Sequence, residues 1–237
     1  MINHQLPLDE LNPELQTWFH LIDQARRNPE GELVPSFLEI MQQIKTELEV
    51  FFKGKLEPKD VKSALVGISI ISYLNEKYAI EKIMMFAKGR YRVSLPPPPE
   101  LISQLSEKLS NHLATSGLNE KIKMMGKTML YVLQKDFQTA RDACVPLNQH
   151  FKEKLAKSSL SLLEAICFAL LRNDIIPIII KNLNTYQAEH AQQPLAIYFS
   201  ILKNVVSEIQ ANQHRRKSAL EGLRNLFENL SQLEKKE

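Results

Sequence analysis

Glycine is scarce in this chain, at 7 residues in 237. That excludes a fold built on many tight hairpins and leaves no glycine-rich loop of the kind that cradles phosphate. Cysteine is scarcer, only Cys144 and Cys167, so no disulfide framework is expected. Both lie in apolar helical stretches, where a free thiol packs like a small hydrophobe. Apolar runs of the roughly 18–20 residues that a spanning helix needs are absent; the dense stretch Ile175–Ile180 is far too short. No segment shows convincing alternation of apolar and polar residues, which removes the signature of a half-buried strand.

Chemistry-bearing motifs are missing too. The chain holds no G-x-S-x-G, no GxxxxGK[ST], no H-E-x-x-H and no Cys/His pair at zinc spacing. His4, His20, His112, His150, His190 and His214 are scattered, with no two at helical i, i+4 spacing. The acid pairs Glu47/Glu49 and Glu76/Glu81 lack a partner histidine and read as solvated helix faces. No catalytic set, metal site or cofactor is therefore expected. Charge of one sign is modest as well: the net value is +3, with 24% charged and 44% hydrophobic residues. That is an ordinary globular composition, and dedicated nucleic-acid binders carry a stronger clustered excess. Met1-Ile2-Asn3-His4-Gln5 has no basic region followed by an apolar one, so a cytoplasmic protein is expected, with leaderless delivery as the alternative.

What is present is helix. Asn12-Pro13-Glu14 gives a start signal, and Leu15, Trp18, Phe19 and Ile22 form one apolar face. Ser36 and Glu39 predict a capping box ahead of the stripe Phe37, Ile40, Met41, Ile44, Leu48, Phe51 and Phe52. Pro58 opens a helix lined by Val61, Leu65, Ile68 and Ile71. Val66, Ile70 and Leu74 lie off that face and predict a central helix, which either breaks at Asn75 or runs on to Lys88. Four prolines, Pro96 to Pro99, must be extended and mark a boundary.

Beyond it, Leu101, Leu105, Leu109 and Leu113 share a face, with Ser116-Gly117 as a left-handed stop. Asn119 caps one long predicted helix reaching Val145-Pro146, and Phe151 and Leu155 mark a connector helix. Ser161 and Glu164 make a second candidate capping box, Ser158 and Ser159 being alternative caps. Asn173-Asp174 reads as a turn in which Asp174 caps a helix that tolerates Pro177. Pro194 starts a helix with Tyr198, Phe199, Leu202, Val205, Val206 and Ile209 inward. A last helix from about His214 carries Ala219, Leu223, Leu226, Leu230 and Leu233, spaced 4-3-4-3 as in a coiled-coil seam.

The expected fold is all-α, with nine or ten helices, no significant sheet and two packed helical subdomains forming a bundle or a short irregular α-solenoid. Their bounds are 1–88 and 100–237, around a Pro-rich linker at 89–99. Leu162–Leu183, a helix, an Asn-Asp turn and a helix opening Ile-Ile-Pro-Ile-Ile-Ile, resembles one helix pair of an armadillo- or HEAT-type repeat, without a second copy at a fixed period.

Three stretches are candidates for binding. Gly89-Arg90-Tyr91-Arg92-Val93 offers Arg90 and Arg92 around an aromatic, suited to phosphate or a base, or else is a packed junction. Pro96–Pro99 is a rigid spacer first and a ligand for a polyproline-binding domain second. His214-Arg215-Arg216-Lys217 opposes the dipole if a helix begins there, and becomes a plain surface cluster if the helix runs straight on from Pro194. The terminal heptads either pack on Pro194–Ile209 or dock into a partner through Leu223, Leu226, Phe227 and Leu230.

The leading expectation is a non-enzymatic scaffold or adaptor that binds proteins within a larger complex. The first alternative is a nucleic-acid or anionic-membrane binder using Arg90, Arg92, Arg215, Arg216 and Lys217. A second is an intracellular bacterial component or substrate of a specialised secretion machine.

Overall fold

The computed structural model describes residues 33–54, 56–87, 100–192 and 195–233. The helix predicted from Asn12, the stretch 89–99 with Arg90 and Arg92, and the four prolines lie outside the described residues. The protein is mostly helical, with no strand or sheet among the described residues. In order the helices are α1 (Leu33–Phe51), α2 (Pro58–Ala87), α3 (Glu100–Thr115), α4 (Glu120–Leu133), α5 (Phe137–Cys144), α6 (Asn148–Ala156), α7 (Leu162–Ala169), α8 (Ile176–Glu189) and α9 (Leu195–Leu233). Short 3₁₀ turns, Val145–Leu147 and Asn173–Ile175, precede α6 and α8. No helix among the described residues is long and apolar enough to cross a membrane.

α2 is the hub. It packs on α1, α3, α4 and α9, and Val61, Leu65, Ile68 and Ile71 on one side are buried together with Val66, Ile70 and Leu74 on the other. It does not break at Asn75 but runs 30 residues to Ala87. Two glycines set how near its neighbours come. A Cβ on Gly67 would meet the Leu48 side chain of α1 at 3.0 Å, and one on Gly126 of α4 would meet Leu113 of α3 at 3.0 Å and Val61 at 3.4 Å. Buried residues on both sides of the 89–99 stretch, from Ile44 to Ile209, form one contiguous core.

Local signals hold where the cap is a side chain. Asn119 Oδ1 accepts from Lys121 N–H at 2.9 Å. Ser161 and Glu164 form the full box, the Glu164 carboxylate accepting from Ser161 N–H at 2.8 Å and Ser161 Oγ from Glu164 N–H at 3.3 Å. Leu105, Leu109 and Leu113 are buried as spaced, and Leu101 at the start of that face is partly buried.

Several expectations need correction. α1 starts at Leu33, so Ser36 lies inside its first turn rather than at its cap; Pro35 fits there because first-turn N–H groups have no helical partner. The long helix from Asn119 splits at Gln134–Asp136. Lys135 adopts φ 62, its N–H reaching Val132 O at 3.0 Å while Asp136 N–H reaches Tyr131 O at 2.9 Å, the paired bonds of a Schellman stop. Asp136 then caps α5 by accepting from Thr139 N–H at 3.1 Å. Ser158, at φ 52, ends α6 in the same way. Gly117, where a left-handed stop was expected, does not have a positive φ. Asp174 caps nothing: its carboxylate pairs with Arg172, and α8 starts at Ile176 after the 3₁₀ turn. Finally, no helix begins at His214, because α9 runs unbroken for 39 residues.

Candidate protein-binding surface

α9 spans about 58 Å at 1.5 Å per residue, and its two halves meet different surroundings. Tyr198, Phe199, Ile201, Leu202, Val205, Val206 and Ile209 are buried, with α9 packed against α8, α2 and α7. The Phe199 ring lies 5.5 Å from Tyr186 and 6.0 Å from His190, both stacked. Gln213 ties the helix to the body, its side-chain amide donating to Ala169 O. From His214 to Glu228 every side chain is exposed.

That exposed length includes most of the predicted candidates. Leu223 is 52%, Leu226 54% and Phe227 67% exposed, with Leu220 at 56% beside them. Leu230 follows on the same helix, its side chain lying outside the described residues. The expectation that the last helix folds back on Pro194–Ile209 is overturned, since 195–209 and the last helix belong to one continuous helix. A single exposed leucine is ordinary, whereas four large apolar side chains at spacings of one, three and four residues make a patch.

Arg215, Arg216 and Lys217 are exposed on the same rod. They sit mid-helix, so the anticipated conflict with a helix N-terminus does not arise. Further out, Lys217 Nζ lies 3.8 Å from Glu221 and Arg224 Nε 2.9 Å from Glu228, both i, i+4 pairs. Such exposed pairs contribute about 0.3–0.5 kcal/mol each.

Polar groups within the body are engaged in holding helices together. His150 Nε2 is 3.0 Å from Glu164 Oε1, and Lys121 Nζ is 3.3 Å from His150 Nδ1. An ammonium only donates, so Nδ1 accepts and the ring proton on Nε2 points at Glu164. Burial pushes the Glu164 carboxyl up, but bonds from the Ser161 backbone, the Ser161 hydroxyl and His150 outweigh it and hold the group below its ordinary value.

Lys135 Nζ reaches Glu76 at 2.6 Å and Glu208 at 3.8 Å, tying α2 and α9 to the α4–α5 stop. The hydrogen bond to Glu76 raises the Lys135 pKa, and partial burial raises that of Glu208. These charges border a shallow cleft with Ser69, Ser72 and Asn204. Cys144 Sγ lies 3.4 Å from Cys167 O and 3.6 Å from Thr128 Oγ1, and both thiols are unpaired and wholly buried. The hydrogen bond with Cys144 and complete burial push the Cys167 thiol up, away from a reactive thiolate. Among the described residues no three His, Cys, Asp or Glu side chains are grouped to hold a metal ion.

No local pattern announces the His150–Glu164 and Lys135–Glu76 pairs, which join residues 14 and 59 positions apart. Compared with known protein families, curated proteins and solved structures, the chain matches none of them.

Proposed function

We propose that this protein is a non-enzymatic helical scaffold that binds another protein through the outer half of α9. One observation carries this reading: beyond Gln213 the continuing helix presents Leu220, Leu223, Leu226 and Phe227 to solvent, each more than half exposed. An apolar helix face that no core covers is the feature from which helix-in-groove and coiled-coil contacts are made. The body supports it as a mount, since one contiguous core fixes the inner half of the same helix. The two-part layout belongs to this proposal as well, with 89–99 as a Pro-rich linker that carries the chain from α2 to α3. So does a cytoplasmic setting, in which thiols such as Cys144 and Cys167 stay reduced.

The test is a nuclease-treated affinity capture on the full chain, compared with the double variant L223E/F227E. A stoichiometric protein partner that is lost with the double variant is expected. A turnover that disappears on Glu164→Gln or His150→Gln would overturn the non-enzymatic reading.

A second reading rests on Arg215, Arg216 and Lys217, three consecutive exposed cations on that rod. It makes α9 an anion-binding element for nucleic acid or an acidic membrane. Its mark is binding to duplex RNA or phosphatidylserine vesicles that weakens steeply with salt. Binding that survives neutralising Arg90, Arg92, Arg215, Arg216 and Lys217 together excludes it.

A further inference from the structure

We infer that Lys121 is a site of acylation on this chain, its amine taking the acyl group of a thioester with His150 as the base. The inference is independent of α9 and rests on three helix starts that meet. Lys121 is the second residue of α4, His150 the third of α6 and Glu164 the third of α7. Lys121 Nζ lies 3.3 Å from His150 Nδ1, and His150 Nε2 lies 3.0 Å from Glu164 Oε1.

The order of these three groups is that of a nucleophile, a base and the acid that orients the base. Glu164 is itself held: its Oε2 accepts from Ser161 N–H at 2.8 Å, so the capping box of α7 aims Oε1 at the imidazole. Its carboxyl is held below the ordinary value and is ionised near neutrality. An ionised carboxylate only accepts, which puts the ring proton on Nε2 and leaves the Nδ1 lone pair facing Lys121. The ring is seated beside Phe151, with centroids 5.9 Å apart. Exposure runs in the order the chemistry needs. The Glu164 and His150 side chains are 10% and 17% exposed, while Lys121 stands open to solvent. Lys108, Lys123, Lys135 and Lys217 each meet a carboxylate, which favours the charged ammonium. Lys121 meets a base.

The step needs no oxidant. The amine form of Lys121 attacks the carbonyl carbon of the thioester, forming the C–N bond. The ammonium of that adduct gives its proton to His150 Nδ1, and the imidazolium is paired with Glu164. The C–S bond then breaks and the departing thiolate takes the proton, leaving an amide on Lys121 and a free thiol. Because Lys121 stands in water, the oxyanion is left to solvent and the acyl group must arrive already activated. A thioester is activated in this sense; an amide or alkyl ester is not. One acyl group is taken per chain, which is a modification rather than a turnover.

The experiment incubates the full chain with S-acetyl-N-acetylcysteamine at about pH 8, where an ordinary imidazole is neutral. Mass spectrometry follows acetylation site by site. Lys152 and Lys157, exposed on α6 and just past its end, serve as controls in the same molecule. Lys121 is expected to react at least about tenfold faster than either. His150→Gln, which can accept a hydrogen bond but takes no proton, is expected to bring Lys121 down to the rate of the controls. Equal rates at the three lysines of the wild-type chain overturn the inference, whether or not the variant folds. An advantage that survives His150→Gln in a chain with an unchanged thermal midpoint overturns it as well. So does accelerated thioester hydrolysis that leaves no acetyl group on Lys121.

Discussion

The two halves of α9 share one continuous helix, yet Phe199 is wholly buried while Phe227 is 67% exposed. Both present an apolar face, the outer half with more charge around it in Arg215, Arg216, Lys217, Glu221, Arg224 and Glu228. What also differs is the surroundings: α2 and α8 stand beside the inner half, and the outer half has passed the edge of the body at Gln213. An amphipathic stripe states that a face is apolar, and only the tertiary fold states whether that face is covered.

The sharpest way to break this comparison is to delete matched rings. Phe199→Ala should destabilise by about 3–5 kcal/mol, because it empties a packed site bounded by Tyr186, Tyr198 and His190. Urea denaturation with an unchanged slope measures it.

A second variant asks whether the body is held by polar ties as well as by its core. Glu164→Ala removes the acceptor for Ser161 N–H and the partner of His150, with an expected loss of about 2 kcal/mol at neutral pH. The Glu164 carboxyl is depressed in the folded protein, so its contribution is fully present above the ordinary value of 4.5. That contribution is lost as pH falls through the lower folded value. The stability gap between wild type and variant should therefore shrink below pH 4.5, as urea midpoints taken at several pH values will show.

A smaller effect, of opposite sign, is expected at a helix stop. Ser158 holds a left-handed backbone conformation that glycine adopts without steric cost. Ser158→Gly should raise stability by about 1 kcal/mol or less, after the greater flexibility of glycine in the unfolded chain is subtracted, a change read from the thermal midpoint. The smallest effect belongs to the outer ring. Phe227→Ala, measured at low protein concentration by urea denaturation, should stay within about 0.5 kcal/mol of wild type. A cost like that of Phe199→Ala would erase the distinction between the halves.

The sequence was legible where a short segment carries its own partner. Asn119 caps α4 two residues away, Ser161 and Glu164 close their box three residues apart, and Leu105, Leu109 and Leu113 repeat on one face. It misled where the deciding residue was of an unexpected type. Lys135 and Ser158 occupy left-handed stops that glycine usually fills, so the break between α4 and α5 carried no glycine to announce it. Continuity was hidden in the same manner: the basic run His214–Lys217 reads as a boundary, while helical hydrogen bonding takes no notice of it. The candidate apolar residues on α9 were visible as a pattern, but their exposure was not, because it depends on where α2 and α8 end.

The unbroken course of α9 also makes it a lever. Between Leu195 and Leu233 no break interrupts it, so a sideways load on its outer end is passed along the helix toward the body. The fulcrum lies near Gln213, and the load is delivered to Tyr198, Phe199 and Leu202, the short arm seated in the core. A partner that tilted the rod would lean directly on α2 and α8. In the proposed function, docking at the tip and the packing of the body are thus mechanically coupled.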